Sequence, residues 1–149
     1  MALTDETKQS IITALTSTSL SESFIEMVLN RLDSFGYEVK EEDAWMIGFE
    51  MQKVENHIKN ECNISEIPEG LIQVAVDMVC GEFLLQLISL GKLNDIQITQ
   101  TLSSVKLGDT TVSYSTSGAV DKVALFTGLM NDLIHGKEGE LVCYRKMHW

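Results

Sequence analysis

The sequence predicts a mainly α fold: a small bundle of about four to five helices, one β-hairpin and a short extended C-terminal segment, in one domain over residues 1–149. Three observations lead there. Apolar residues recur at the three- and four-residue intervals that line one helix face. Helix-closing residues, Gly36, Asn63, Gly91 and Gly136, separate those stretches. Between residues 98 and 115 the pattern changes to Thr, Ser, Val and Ile around a Gly-Asp pair.

Residues 4–16 read as a short first helix, with Thr4 or Asp5 near its cap and Ile11, Ile12 and Leu15 on one side. Ser19 and Glu22 then have capping-box spacing, a hydroxyl and a carboxylate satisfying each other's free backbone donors. They open a helix over about 21–35, carried by Phe24, Ile25, Val28, Leu29 and Leu32 and stopped by Gly36. Glu41, Glu42 and Asp43 suit a helix N-terminus, where the macrodipole favours acids. Ile47, Met51, Val54 and Ile58 continue it as one stripe, with Trp45 and Phe49 beside it, to about Glu61. Pro68 fits a first helical position, where its missing N–H costs nothing. The helix from there to Leu90 is apolar on nearly every side, so it is central, covered by neighbours in the chain or in other subunits.

In Leu107-Gly108-Asp109-Thr110 the glycine can take the positive φ of a two-residue hairpin turn. Val105 and Leu107 alternate before it, Val112 and Tyr114 after it. After a joint at 115–118, Val120, Val123, Phe126, Met130 and Leu133 make a final helix that Gly136 closes. The segment from about 139 to 149 reads as a strand-like tail, apolar and basic.

With 44% apolar residues and one Pro, the composition is that of a chain that buries its own core without disulfides or metal. The apolar run from Leu71 to Leu90 is interrupted by Gln73, Asp77, Glu82 and Gln86, which argues against a membrane span. Acidic residues outnumber basic ones 22 to 11, a net charge of −11. Without a basic run the chain has little with which to displace counterions from phosphates, so gripping nucleic acid or an anionic membrane is disfavoured. Cys62, Cys80 and Cys143 are an odd number at wide spacings, which suits reduced thiols acting as small hydrophobes. No signal-peptide pattern opens the sequence.

No catalytic set assembles from the residues, and no cofactor or metal is expected. His57, His135 and His148 lack a second His or Cys at helical spacing, and phosphate-loop, dinucleotide and nucleophile-elbow patterns are missing. Glu50, Glu55 and Glu61 around His57 read as a solvated face. Cys80, among Val, Met and Phe, reads as buried and inert. Asp77 and Glu82 lie five residues apart on the apolar helix, about 140° from each other. They form no dyad; each reaches an edge or pairs with a basic group of a neighbour.

Four pieces in order resemble the head–tail connector (adaptor) proteins of tailed bacteriophages and related prophages, of siphovirus type. They are Asn56-His57-Ile58-Lys59-Asn60 followed by Ile67-Pro68-Glu69-Gly70-Leu71; the apolar helix from Val74 to Leu90 with Asp77-Met78-Val79; the hairpin from Val105 to Tyr114; and the ending Tyr144-Arg145-Lys146-Met147-His148-Trp149. Together they cover about residues 40–149.

The resemblance implies a non-enzymatic virion protein of the neck, made in the host cytoplasm and assembled as a ring of about a dozen copies beneath the portal. Such a ring extends the DNA channel and gives stopper or tail-completion proteins a platform, while DNA passes without specific binding. An acidic wall suits that passage, because like charges let a polyanion slide. The hairpin residues Val105, Leu107, Gly108, Asp109, Thr110, Val112 and Tyr114 are expected to meet neighbouring subunits or tail-side proteins, since a lone ribbon is marginal in water. Tyr144, Arg145, Lys146 and Trp149 are expected to dock on the portal, so that truncation after Glu140 leaves folding intact. The alternative is a small helical protein-binding or regulatory module, acting as monomer or dimer.

Overall fold

In the computed structural model, residues 22–93 and 122–147 are described. They form α1 (Glu22–Ser34), α2 (Ala44–Cys62), α3 (Ile72–Ser89), α4 (Lys122–His135) and α5 (Glu138–Cys143), with single 3₁₀ turns at Glu41–Asp43 and Glu69–Leu71 leading into α2 and α3. The fold is mainly α, and no strand occurs among the described residues. The expected helix at 4–16 and the hairpin at 98–115 lie outside them, as does Trp149.

Helix α1 buries Phe24, Ile25, Val28, Leu29 and Leu32, the stripe its spacing predicts. It ends in a paired closure: Tyr37 N–H donates to the Leu32 carbonyl at 3.1 Å and Gly36 N–H to that of Asp33 at 2.9 Å. Gly36 has φ +83°, a conformation that costs glycine nothing. Tyr37 then packs edge-on against Phe83 of α3, centroids 5.5 Å apart, and its hydroxyl donates to Asp43 Oδ2 at 2.7 Å. Lys40 N–H donates to the same oxygen at 3.0 Å, so the buried Asp43 carboxylate fixes the turn into α2. Burial, reinforced by that carboxylate, pushes the Tyr37 phenol far above its ordinary range.

Helix α2 ends at Asn63, whose φ of 55° puts it in the left-handed region that Asn tolerates. Pro68 corrects the expectation: it precedes the helix with extended ψ of 151°, and its carbonyl accepts the Leu71 N–H at 2.9 Å. Helix α3 therefore begins at Ile72, after the 3₁₀ turn. By length and composition the stretch Glu69–Ser89 could cross a membrane. Here α1, α2 and α4 cover it instead, and Ala75, Val79, Cys80, Phe83 and Leu84 are fully buried.

Helix α4 approaches α3 over Gly81. A Cβ there would lie 2.8 Å from Ile134 Cγ1 and 3.0 Å from the Met130 carbonyl oxygen. The C-terminal segment also departs from the expected extended form, because residues 138–143 make the six-residue helix α5 that buries Leu141. Glu138 and Glu140 lie in its first turn, where acids are favoured.

Gly81→Ala is expected to lower stability by about 1–2 kcal/mol, overpacking outweighing the gain in helix propensity. Gly128→Ala, with open space around its Cβ, is expected to raise it by about 0.5–1 kcal/mol. Urea unfolding of both variants reads the two opposite signs.

Candidate functional site

The conspicuous polar groups of the core helices are structural. Asp77 on α3 accepts from Arg31 Nε of α1 at 2.9 Å, and the Arg31 guanidinium lies 4.6 Å over the Phe35 ring. Glu82 accepts from Lys53 Nζ of α2 at 3.2 Å. Of the two fates the sequence left open for these acids, pairing with a neighbour's cation is the observed one. An open groove of about 580 Å³ lies beside the first pair, lined by Met27, Asn30, Ser34 and Gln73. Among the described residues no three His, Cys, Asp or Glu side chains come together in a way that could hold a metal.

The expected solvated face around His57 needs correction. His57 and Glu61 are exposed, but Glu50 and Glu55 are buried, with 1% and 2% of their surface accessible. Both flank the Ile47–Met51–Val54–Ile58 stripe at three- and four-residue spacing, the signal that could have placed them. Lys59 pairs with Glu55 at 3.5 Å. Glu50 Oε2 lies 3.7 Å from Lys53 Nζ and accepts no hydrogen bond. Burial lifts the Glu50 carboxyl above the usual carboxylate range, against the pull of Lys53. Burial disfavours charge on Lys53, yet the hydrogen bond to Glu82 and the two carboxylates hold its ammonium above the ordinary value.

The thiols divide. Cys62 and Cys80 are buried and donate to the carbonyls of Leu141, at 3.2 Å, and Val28, at 3.7 Å. Burial raises the pKa of both, which makes them inert. Cys143 is exposed, contrary to the expectation of a core thiol.

Of the residues assigned to portal docking, Tyr144, Arg145 and Lys146 are folded onto their own chain, and Trp149 lies outside the described residues. Lys146 N–H donates to the Cys62 carbonyl at 2.7 Å, and Asn63 Nδ2 donates to the Lys146 carbonyl at 3.2 Å. Arg145 donates through Nε to the Glu61 carbonyl at 2.9 Å and through Nη2 to Glu61 Oε2 at 2.8 Å. The Tyr144 hydroxyl occupies the space that a Cβ on Gly70 would need. The segment thus clasps the end of α2 and the turn into α3. The reason is local: the helix-terminal carbonyls at Glu61 and Cys62 need donors, and Arg145 and Lys146 supply them.

Several large apolar side chains stay exposed, among them a stacked pair. Trp45 and Phe49, one turn apart on α2, stack with centroids 5.4 Å apart and planes 17° from parallel. They precede Ile47 and Met51 by two positions, about 200° round the helix from the buried stripe. Val142 in the last turn of α5, and Tyr144 and Met147 just after it, are exposed as well.

Compared with known proteins, the chain matches no family model, no curated sequence and no solved structure.

Two outcomes follow. Leu141→Ala is expected to cost about 2–4 kcal/mol, and truncation after Glu140 at least as much, measured by chemical unfolding. That reverses the sequence-based expectation of a dispensable tail. Because the folded-state pKa of Glu50 is raised, its ionisation destabilises the fold as pH rises through that value. The stability of Glu50→Gln relative to wild type is therefore expected to be greater at about pH 7 than at about pH 4.5, near the ordinary Glu pKa. Thermal melts of both proteins at the two pH values measure that difference.

Proposed function

We propose that this chain is a structural subunit of a ring-shaped phage head–tail connector, a neck component that joins portal to tail and extends the DNA channel. What carries the reading is convergence: pieces far apart in sequence, on which the connector resemblance rests, pack at one place. The end of α2 after Asn56–Asn60, the Pro68–Leu71 turn and the Tyr144–Lys146 segment meet through Glu61, Cys62, Asn63 and Gly70. The apolar α3 that follows that turn is the centre of the bundle. A subunit of this kind is a scaffold. Its net charge of −11, repeated around a ring, repels DNA phosphates and suits passage without specific binding.

In this reading the hairpin residues Val105 to Tyr114 contact neighbouring subunits or the stopper and tail-completion proteins. Tyr144 and Arg145 hold the C-terminal segment to its own chain while staying exposed with Lys146, and these residues with Trp149 make the portal contact in this reading.

The test is electron microscopy and native mass spectrometry of the full chain, alone and with portal rings. Closed rings of about a dozen copies, free or on the portal, are the expected result. A monomer or dimer that never joins a portal ring would favour the regulatory-module alternative instead.

A further inference from the structure

We propose that the Trp45–Phe49 patch receives the C-terminal segment of a second copy of this chain, so that subunits join end to end along α2. The inference rests on the ring reading above and names surfaces through which neighbouring copies meet.

The receiving patch is preorganised. Trp45 is 65% and Phe49 50% exposed, and their rings are already stacked, so covering them costs little side-chain freedom. Since an aromatic side chain can bury about 150–250 Å², the pair leaves on the order of 250 Å² of apolar surface in water. Glu41 and Glu42, in the 3₁₀ turn that leads into α2, precede Trp45 by four and three residues and are exposed, as is Glu38 just before them. None of the three is in an ion pair among the described residues. The occupant that fits is apolar and carries positive charge.

The other end of α2 presents that chemistry. Val142, Tyr144 and Met147 are exposed, Met147 by 72%, and the Lys146 side chain is in no ion pair among the described residues. The clasp on Glu61, Cys62 and Asn63 holds this patch at the C-terminal end of α2. A 19-residue helix is about 28 Å long, so one chain's two patches cannot meet each other. Two receiving patches face to face would set Glu38, Glu41 and Glu42 against their own copies, a like-charge contact that disfavours a two-fold dimer. An unlike pair of patches at opposite ends of one element makes a heterologous contact, which closes into a ring or continues as a filament. Each patch is well below the roughly 800 Å² per partner of a stable interface. A single contact is therefore weak, and assembly needs high concentration or a template ring.

Sedimentation velocity of the full chain at low salt, over rising concentration, tests this. Wild type is expected to grow past the dimer, less so with added salt. The variant Trp45→Ser with Phe49→Ser and the variant Lys146→Glu with Met147→Asp are each expected to remain monomeric. Their equimolar mixture is expected to give a dimer and nothing larger, because one intact patch of each kind remains. If the serine variant loses helicity by circular dichroism, the aromatic pair packs within its own chain and the proposal falls. Charge gives an independent reading: Glu41→Lys with Glu42→Lys blocks growth, and mixing with Lys146→Glu restores pairing. A mixture that stays monomeric, or wild type that stops at the dimer, overturns the proposal. Rings that form unchanged from the serine variant overturn it while leaving the connector reading standing. Wild type that forms no ring, even with portal rings added, removes the connector reading itself.

Discussion

A helix apolar on every side has to be covered on every side, and α3 imposes that requirement on the rest of the molecule. Each buried aliphatic or aromatic side chain contributes about 1.5–3 kcal/mol when it leaves water, and α3 carries them around its whole circumference. Helices α1, α2 and α4 each pack on it. Gly81 sets how closely α4 approaches, and Tyr37 against Phe83 sets where the chain turns from α1 into α2. Asp43, under that turn, follows from the same need, since a buried phenol needs an acceptor.

Electrostatics completes the arrangement. The chain has 11 Lys and Arg against 22 acids, and several of its cations tie elements together. Arg31 joins α1 to α3, Lys53 joins α2 to α3, and Arg145 joins the C-terminal segment to α2. Exposed pairs of this kind contribute about 0–1 kcal/mol each. They act chiefly in orientation, giving Asp77 and Glu82 partners at the margins of an apolar helix. The acids left over give the surface its charge.

Helix positions were legible where periodicity and a closing residue agreed. Helix α1 ends at Ser34 against an expected 35, because Leu32 and Gly36 both mark its end. Asn63 and Gly91 likewise mark the ends of α2 and α3. Glu50 and Glu55 look solvated by residue type alone, yet their positions beside the apolar stripe bury them. Helix α5 was missed because six residues containing a glycine are too few to show a helical period. The clasp was illegible for another reason. Its hydrogen bonds to Glu61, Cys62 and Asn63 join positions more than 80 apart, and they depend on carbonyls left over by a helix ending, which no local pattern encodes.

The order of the elements along the chain bears on synthesis. Helix α3 leaves the ribosome before α4, the element that covers one of its sides, and the two are separated by residues 90–121. At about 5–20 residues per second, α3 waits some seconds with that side unprotected. During that interval a nascent chain presents Gly81 and its apolar neighbours as a sticky, aggregation-prone surface. The clasp at Cys62 and Asn63 closes later still, so native structure is reached only after the last helices have emerged.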